Sequence, residues 1–150
     1  MTALTILVGS VYGNSQHAAE TVAEKLAAEG IECEVTSDPQ VSDVTDAGAL
    51  LVITSTTGQG DIPPNLEFLF SDLKDQFPLL DRKPFAVIGL GDSSYGDTFC
   101  AGGKQWFELL TELQGKPVAD MLEVDAIEHF EPEKPVVEFV ESIKNDLIPA

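Results

Sequence analysis

The chain has 150 residues, 43% of them hydrophobic, which is the size and composition of one globular domain with a full core. Eight Lys and Arg stand against 26 Asp and Glu, a net charge of −18 that disfavours nucleic acid and anionic membranes and favours a basic protein surface as partner. No apolar run approaches the roughly 20 residues of a membrane span, no signal-peptide pattern opens the chain, and two cysteines without a CxxC or His/Cys cluster give neither a disulfide framework nor a metal site. A cytoplasmic, monomeric domain spanning residues 1–150 is the expectation.

TILVG (5–9) reads as a first buried strand, and residues 14–29 as a helix with Ala18, Ala19, Val22, Ala23 and Leu26 on its apolar stripe and Gly30 as its stop. IECEVTS (31–37) alternates with period two, as a half-exposed edge strand does, and Asp38-Pro39 ends it. Cys33 sits on that strand as a small half-buried residue. ALLVITS (49–55) is apolar on successive residues, the pattern of a central parallel strand buried on both faces. Pro63 and Pro64 open a helix over 65–77 with Leu66, Leu69, Phe70 and Leu73 inward. PFAVIGL (84–90) is a further buried strand. Residues 104–114 form a helix carrying Trp106, Phe107, Leu110 and Leu113, closed by Gly115. A fifth strand lies near Val118–Val124, and a last helix covers 135–147 with Val136, Val137, Phe139, Val140 and Ile143 apolar. There is no repeat, linker or low-complexity segment.

This alternation is an α/β (βα)5 unit. Right-handed crossovers between parallel strands force helices onto both faces, giving a three-layer sandwich. An amphipathic second strand belongs at an edge, which suits a five-stranded parallel sheet in the order 2-1-3-4-5. In that order the crossovers from strands 1 and 3 leave on opposite sides, and ligand binds in the crevice between their C-terminal ends.

Three loops of glycines and hydroxyl residues leave the strands at that edge: GSVYGNS (9–15), STTGQGD (55–61) and GLGDSSYG (89–96). They carry almost no cations, so a phosphate there is held by backbone N–H groups and hydroxyls. In the first loop Ser10, Val11, Tyr12, Gly13, Asn14 and Ser15 put successive N–H groups in front of a helix N-terminus, an anion nest. The loop is too short for a Walker A motif and lacks its lysine, and it is not GxGxxG, so a phosphate monoester fits better than a dinucleotide. A hydroxyl-rich turn with an ordinary N-cap is the rival reading. In the second loop Gly58 and Gly60 allow a peptide to reverse its orientation, turning a carbonyl towards a ring nitrogen when a redox cofactor gains a proton. In the third, Tyr95 stacks on a flat ring or is a buried structural tyrosine, and Asp92 places negative charge beside it. Cys100 either packs or stands beside the ligand. His17 faces out and His129 lies in the acidic stretch 120–141; neither forms a catalytic arrangement.

At these residues the chain resembles the flavodoxins, and within them the short-chain bacterial members of the MioC and YqcA type. Ser10-x-x-Gly13-x-Ser15 with Ala19 and Val22 is similar to the family's phosphate signature. STTGQGDIPPN and LGDSSYGDTFCAGGKQ are similar to the two loops that clasp the flavin ring in flavodoxins and in the FMN domains of diflavin reductases. The resemblance runs the full length. It implies an FMN-containing, low-potential electron carrier, not an enzyme, that moves single electrons from a flavodoxin/ferredoxin NADP reductase to an iron–sulfur or radical enzyme.

The resemblance further implies that Ser10–Ser15 hold the FMN phosphate. Ser55, Thr56, Thr57, Gly58, Gln59 and Gly60 line one side of the isoalloxazine. Leu90, Gly91, Asp92, Ser93, Ser94 and Tyr95, with Phe99 and Cys100, line the other, and Asp125 approaches the ribityl chain. Thr57 stands where many relatives carry an aromatic residue, which implies a flavin held on one face only by stacking. Val8 in place of an aromatic and Ser15 in place of Thr are milder departures, and Gly96-Asp97 makes the third loop one residue longer than the common form. Two rival classes are weaker. An FMN-dependent enzyme such as a quinone reductase needs a nicotinamide site that no extra loop supplies. A phosphoacceptor receiver needs clustered aspartates after strand 1 and an Asp ending strand 3, where this chain has Gly9-Ser10 and Thr54-Ser55.

Overall fold

Runs that are apolar on every residue end up with a helix on each side. The computed structural model describes residues 4–10, 13–56, 61–91, 100–125 and 131–148. Within them β1 (Leu4–Gly9), β2 (Cys33–Thr36), β3 (Leu50–Thr54) and β4 (Pro84–Gly91) pair in parallel in the order β2-β1-β3-β4, and β5 (Lys116–Pro117) and β6 (Leu122–Asp125) both pair with the far side of β4. The sheet therefore has the expected 2-1-3-4-5 order, with its fifth position built from two short strands.

Leu4, Ile6 and Val8 of β1 point to one face, where α1 (Asn14–Ala28) and α5 (Glu133–Leu147) cover them with Ala18, Val22, Leu26, Val136 and Val140. Leu7 points to the other, with Leu50, Val52 and Phe85. There α3 (Pro64–Gln76) and α4 (Ala101–Glu112) supply Leu66, Leu69, Leu73 and Trp106. Among the described residues β2 pairs only with β1 and stays partly exposed, as an edge strand does. Cys33 is half-buried on it, and burial pushes its thiol pKa up.

Three departures from the expected elements have local causes. A short helix, α2 (Val41–Thr45), forms before β3 because Gln40 and Asp43 build a reciprocal capping box, the Gln40 N–H donating to Asp43 Oδ2 at 2.7 Å. α4 begins at Ala101, three residues earlier than its apolar periodicity suggests, because Gly102 and Gly103 are needed for contact. A Cβ on Gly102 would lie 2.8 Å from the Ser55 carbonyl oxygen, and one on Gly103 3.2 Å from Gly89 Cα. The fifth strand is interrupted: from Pro117 to Leu122 the chain takes five steps while β4 takes three, Phe85 to Ile88. This two-residue bulge turns Met121 under the glycines, its Sδ 2.9 Å from where a Gly103 Cβ would stand.

Candidate functional site

The crossover from β1 runs through α1 on one face and that from β3 through α3 on the other, so the C-terminal ends of β1 and β3 open a crevice between them. Gly9, Thr54 and Gly89 stand level across β1, β3 and β4, and Gly91 pairs with Asp125. Ser10, Ser55, Gly91 and Asp125 thus leave neighbouring strands at one edge. The floor is tight: a Cβ on Gly9 would sit 2.2 Å from Thr54 Oγ1 and 2.8 Å from Leu66 Cδ1. Ser55 fastens onto the same residue, its N–H donating to the Gly9 carbonyl at 2.9 Å and its hydroxyl reaching the same oxygen at 3.4 Å.

After Ser10 the first loop returns to Gly13, whose N–H donates to Ser10 Oγ at 2.8 Å. Gly13 takes the left-handed conformation (φ 89°, ψ −5°), which glycine adopts without a Cβ penalty, and it stands as N-cap of the 15-residue α1. Its carbonyl accepts the first helical bond, from His17 N–H at 2.9 Å, but no described side chain caps the helix. The first-turn N–H groups have no partners within a helix, and they carry the positive end of its dipole. Ser15 in that turn is fully buried, and its hydroxyl has no hydrogen-bond partner among the described residues. A buried hydroxyl without a partner is costly, and nearly all find one. With the first-turn N–H groups it makes a set of donors that an anion would satisfy. Among the described residues nothing stands within 4 Å of where a Gly13 Cβ would be, and Gly13 and Asn14 are exposed. A single phosphate fits these donors.

The other sequence-predicted residues divide into three groups. Ser55, Thr56, Gly91 and Asp125 lie at the strand ends around the crevice; Thr56 Oγ1 accepts the Gly102 N–H at 2.9 Å, which docks α4 against the second loop. Leu90 and Cys100 turn their side chains into packing. Leu90 joins the core under α1 and α5, and the Cys100 thiol donates to the Gly89 carbonyl at 3.4 Å. Burial first, then the nearby Glu123 carboxylate, push that thiol pKa up to about 12, so it stays protonated at neutral pH. Val11, Tyr12, Thr57, Gly58, Gln59, Gly60, Asp92, Ser93, Ser94, Tyr95 and Phe99 lie outside the described residues, as does His129. His17 is exposed and 3.8 Å from Glu133, away from any catalytic arrangement.

One residue to which the sequence assigns no site role joins the site from α3. The Asn65 side chain accepts the Ser10 N–H at 3.2 Å and donates to the Val8 carbonyl at 2.6 Å and the Ser37 carbonyl at 2.9 Å. In the sequence it is the last residue of the STTGQGDIPPN stretch, directly after Pro63-Pro64, where a helix starts and an amide side chain readily bonds nearby backbone.

Comparison with known proteins agrees with this geometry. The sequence profile of the flavodoxin family matches residues 6–138. Flavodoxin YqcA of Escherichia coli K12 is 44% identical over 135 residues, covering 89% of this chain and 90% of its own length. Protein MioC of the same organism is 35% identical over 145 residues, covering 97% and 98%. A mutant flavodoxin from Pseudomonas aeruginosa superposes with a TM-score of 0.85 at 41% identity, over 94% of this chain and 98% of that one. Among the described residues no helix is long and apolar enough to cross a membrane, and no group of three or more His, Cys, Asp or Glu could hold a metal ion.

Proposed function

The chain belongs to the flavodoxin family, and from that premise we infer that it is an electron carrier whose redox group is FMN, with no substrate turnover of its own. The observation that carries the reading is the buried Ser15 hydroxyl, without a hydrogen-bond partner among the described residues, in the first turn of α1 at the β1/β3 switch point. Ser10, Gly13, Asn14 and Ser15 would hold the phosphate. Ser55, Thr56, Gly91 and Asp125 stand where the strand ends would flank the rest of the molecule. Bound FMN supplies one-electron redox chemistry at its ring. The protein's own part is to fix the phosphate by neutral donors and to set the local field: a net charge of −18 raises the energy of any negative charge added in the crevice, which keeps the potential low.

The same charge argues for a basic partner. On the outer face of α3, Phe68 is 84% exposed, and Glu67, Asp72 and Asp75 are exposed beside it. An exposed aromatic among carboxylates suits a partner that offers an apolar socket ringed by Lys or Arg. We assign the donor role to a flavodoxin/ferredoxin NADP reductase and the acceptor role to an iron–sulfur or radical enzyme, with the carrier acting as a cytoplasmic monomer. The two free cysteines accord with a reducing compartment.

The test is discrimination at the phosphate. Titrated by quenching of flavin fluorescence, the protein binds FMN at least about tenfold more tightly than riboflavin, the factor expected from a charge-assisted hydrogen-bond set. Equal affinities would rule out the phosphate nest.

A further inference from the structure

Asn65 takes the place of a strand. β2 pairs with β1 in the register Leu4 with Cys33 through Leu7 with Thr36, and continuing that register would set Ser37 opposite Val8 and Asp38 opposite Gly9. The chain does not continue: β2 stops at Thr36, the Asp38 N–H turns back to Thr36 Oγ1 at 3.2 Å, and Pro39 follows. In a parallel ladder the residue opposite Gly9 would donate its N–H to the Val8 carbonyl and accept the Ser10 N–H. The Asn65 carboxamide makes both bonds, Nδ2 to the Val8 carbonyl at 2.6 Å and Oδ1 from the Ser10 N–H at 3.2 Å. Its second N–H holds the Ser37 carbonyl at 2.9 Å, tying down the strand that left. One side chain from the first turn of α3 thus extends the β1 ladder by a bridge after its neighbour has departed.

That bridge fixes the direction in which the chain leaves β1. Ser10 is held by its N–H to Asn65, and its hydroxyl in turn accepts the Gly13 N–H at 2.8 Å. Gly13 sets the N-terminus of α1, where the Ser15 hydroxyl lies without a partner among the described residues. We propose that Asn65 is a positioning residue for cofactor phosphate, acting through Ser10 and Gly13 without touching the ligand, so that the affinity this site gains from the phosphate depends on it. The proposal rests on the FMN reading above.

The experiment uses the full-length protein and its Asn65→Ala and Asn65→Ser variants. Two quantities are read: the Kd values for FMN and for riboflavin, and amide hydrogen exchange at Ser10 and Gly13 without flavin. In the variants we expect Ser10 and Gly13 to lose protection, FMN to bind about tenfold or more weaker, and riboflavin to change by less than about threefold, so that phosphate selectivity falls. If FMN and riboflavin weaken by the same factor, Asn65 is only a fold residue and the proposal is overturned, as it is if FMN affinity stays unchanged. If the unaltered protein fails to prefer FMN, the FMN reading itself falls and takes the proposal with it. Protection lost at Ser10 in that case still separates the failed reading from a failed bridge.

Discussion

Ser15 is buried, and a phosphate would satisfy its hydroxyl. Its hydroxyl is sealed from water and has no partner among the described residues, a condition worth about 1–3 kcal/mol against the folded state. Replacing it with alanine removes the orphan and leaves a side chain of similar size. Ser15→Ala is therefore expected to stabilise the flavin-free protein by about 1 kcal/mol, seen as a rise of roughly 2–4 °C in Tm. The same variant should bind FMN about tenfold more weakly, because the donor to the phosphate is gone. Opposite signs in the two measurements mark a ligand-facing hydroxyl. A variant that loses both stability and affinity would mean that Ser15 is an ordinary core residue. Cys100 shows the contrary case. In sequence it stands among the flavin-loop residues, yet its thiol is spent on the Gly89 carbonyl in a left-handed turn at the head of α4.

Among the strands and helices, what sequence reveals is what a residue does for its own segment. Leu50 through Thr54 are buried one after another, and the unbroken apolar run ALLVITS already states this. The three hydroxyl-rich loops are likewise legible, since strand ends and glycines are local. Contacts that join distant segments are not. Asn65 reaches Val8 across 57 positions, and no periodicity marks it. The α2 helix is too short for a hydrophobic period, and it depends on Lys83, whose Nζ donates to the Val44 carbonyl at 2.7 Å and the Thr45 carbonyl at 2.8 Å from the start of β4. Burial pulls the Lys83 pKa down, and the Asp46 carboxylate opposes that shift. Lys83→Met keeps the apolar stem and removes both bonds. The expected result is a loss of about 1 kcal/mol in chemical denaturation, after the screening of a half-exposed group is allowed for. Amide exchange should rise at residues 41–46 and stay unchanged in β3. Unaltered exchange in α2 would show that the capping box alone holds it.

The protein as a whole combines a neutral-donor nest with a strongly negative surround. The nest would hold the phosphate without lysine, and the charge of −18 would disfavour added negative charge in the crevice and favour a basic partner, both effects weakening as salt screens them. The split fifth strand and the three glycines Gly89, Gly102 and Gly103 bring β4, α4 and the second loop close together behind the crevice. A rigid frame of this kind suits a carrier, which needs its cofactor held still and one edge open. Whether the protein is a one-electron carrier is decided by stepwise reduction of its FMN-loaded form. Followed by absorbance against a reference dye, the bound flavin is expected to take up its two electrons in two resolved one-electron steps, the second at a potential below that of free FMN. A single concerted two-electron step at the potential of free FMN, or flavin that washes out before reduction begins, would show that the protein is not such a carrier.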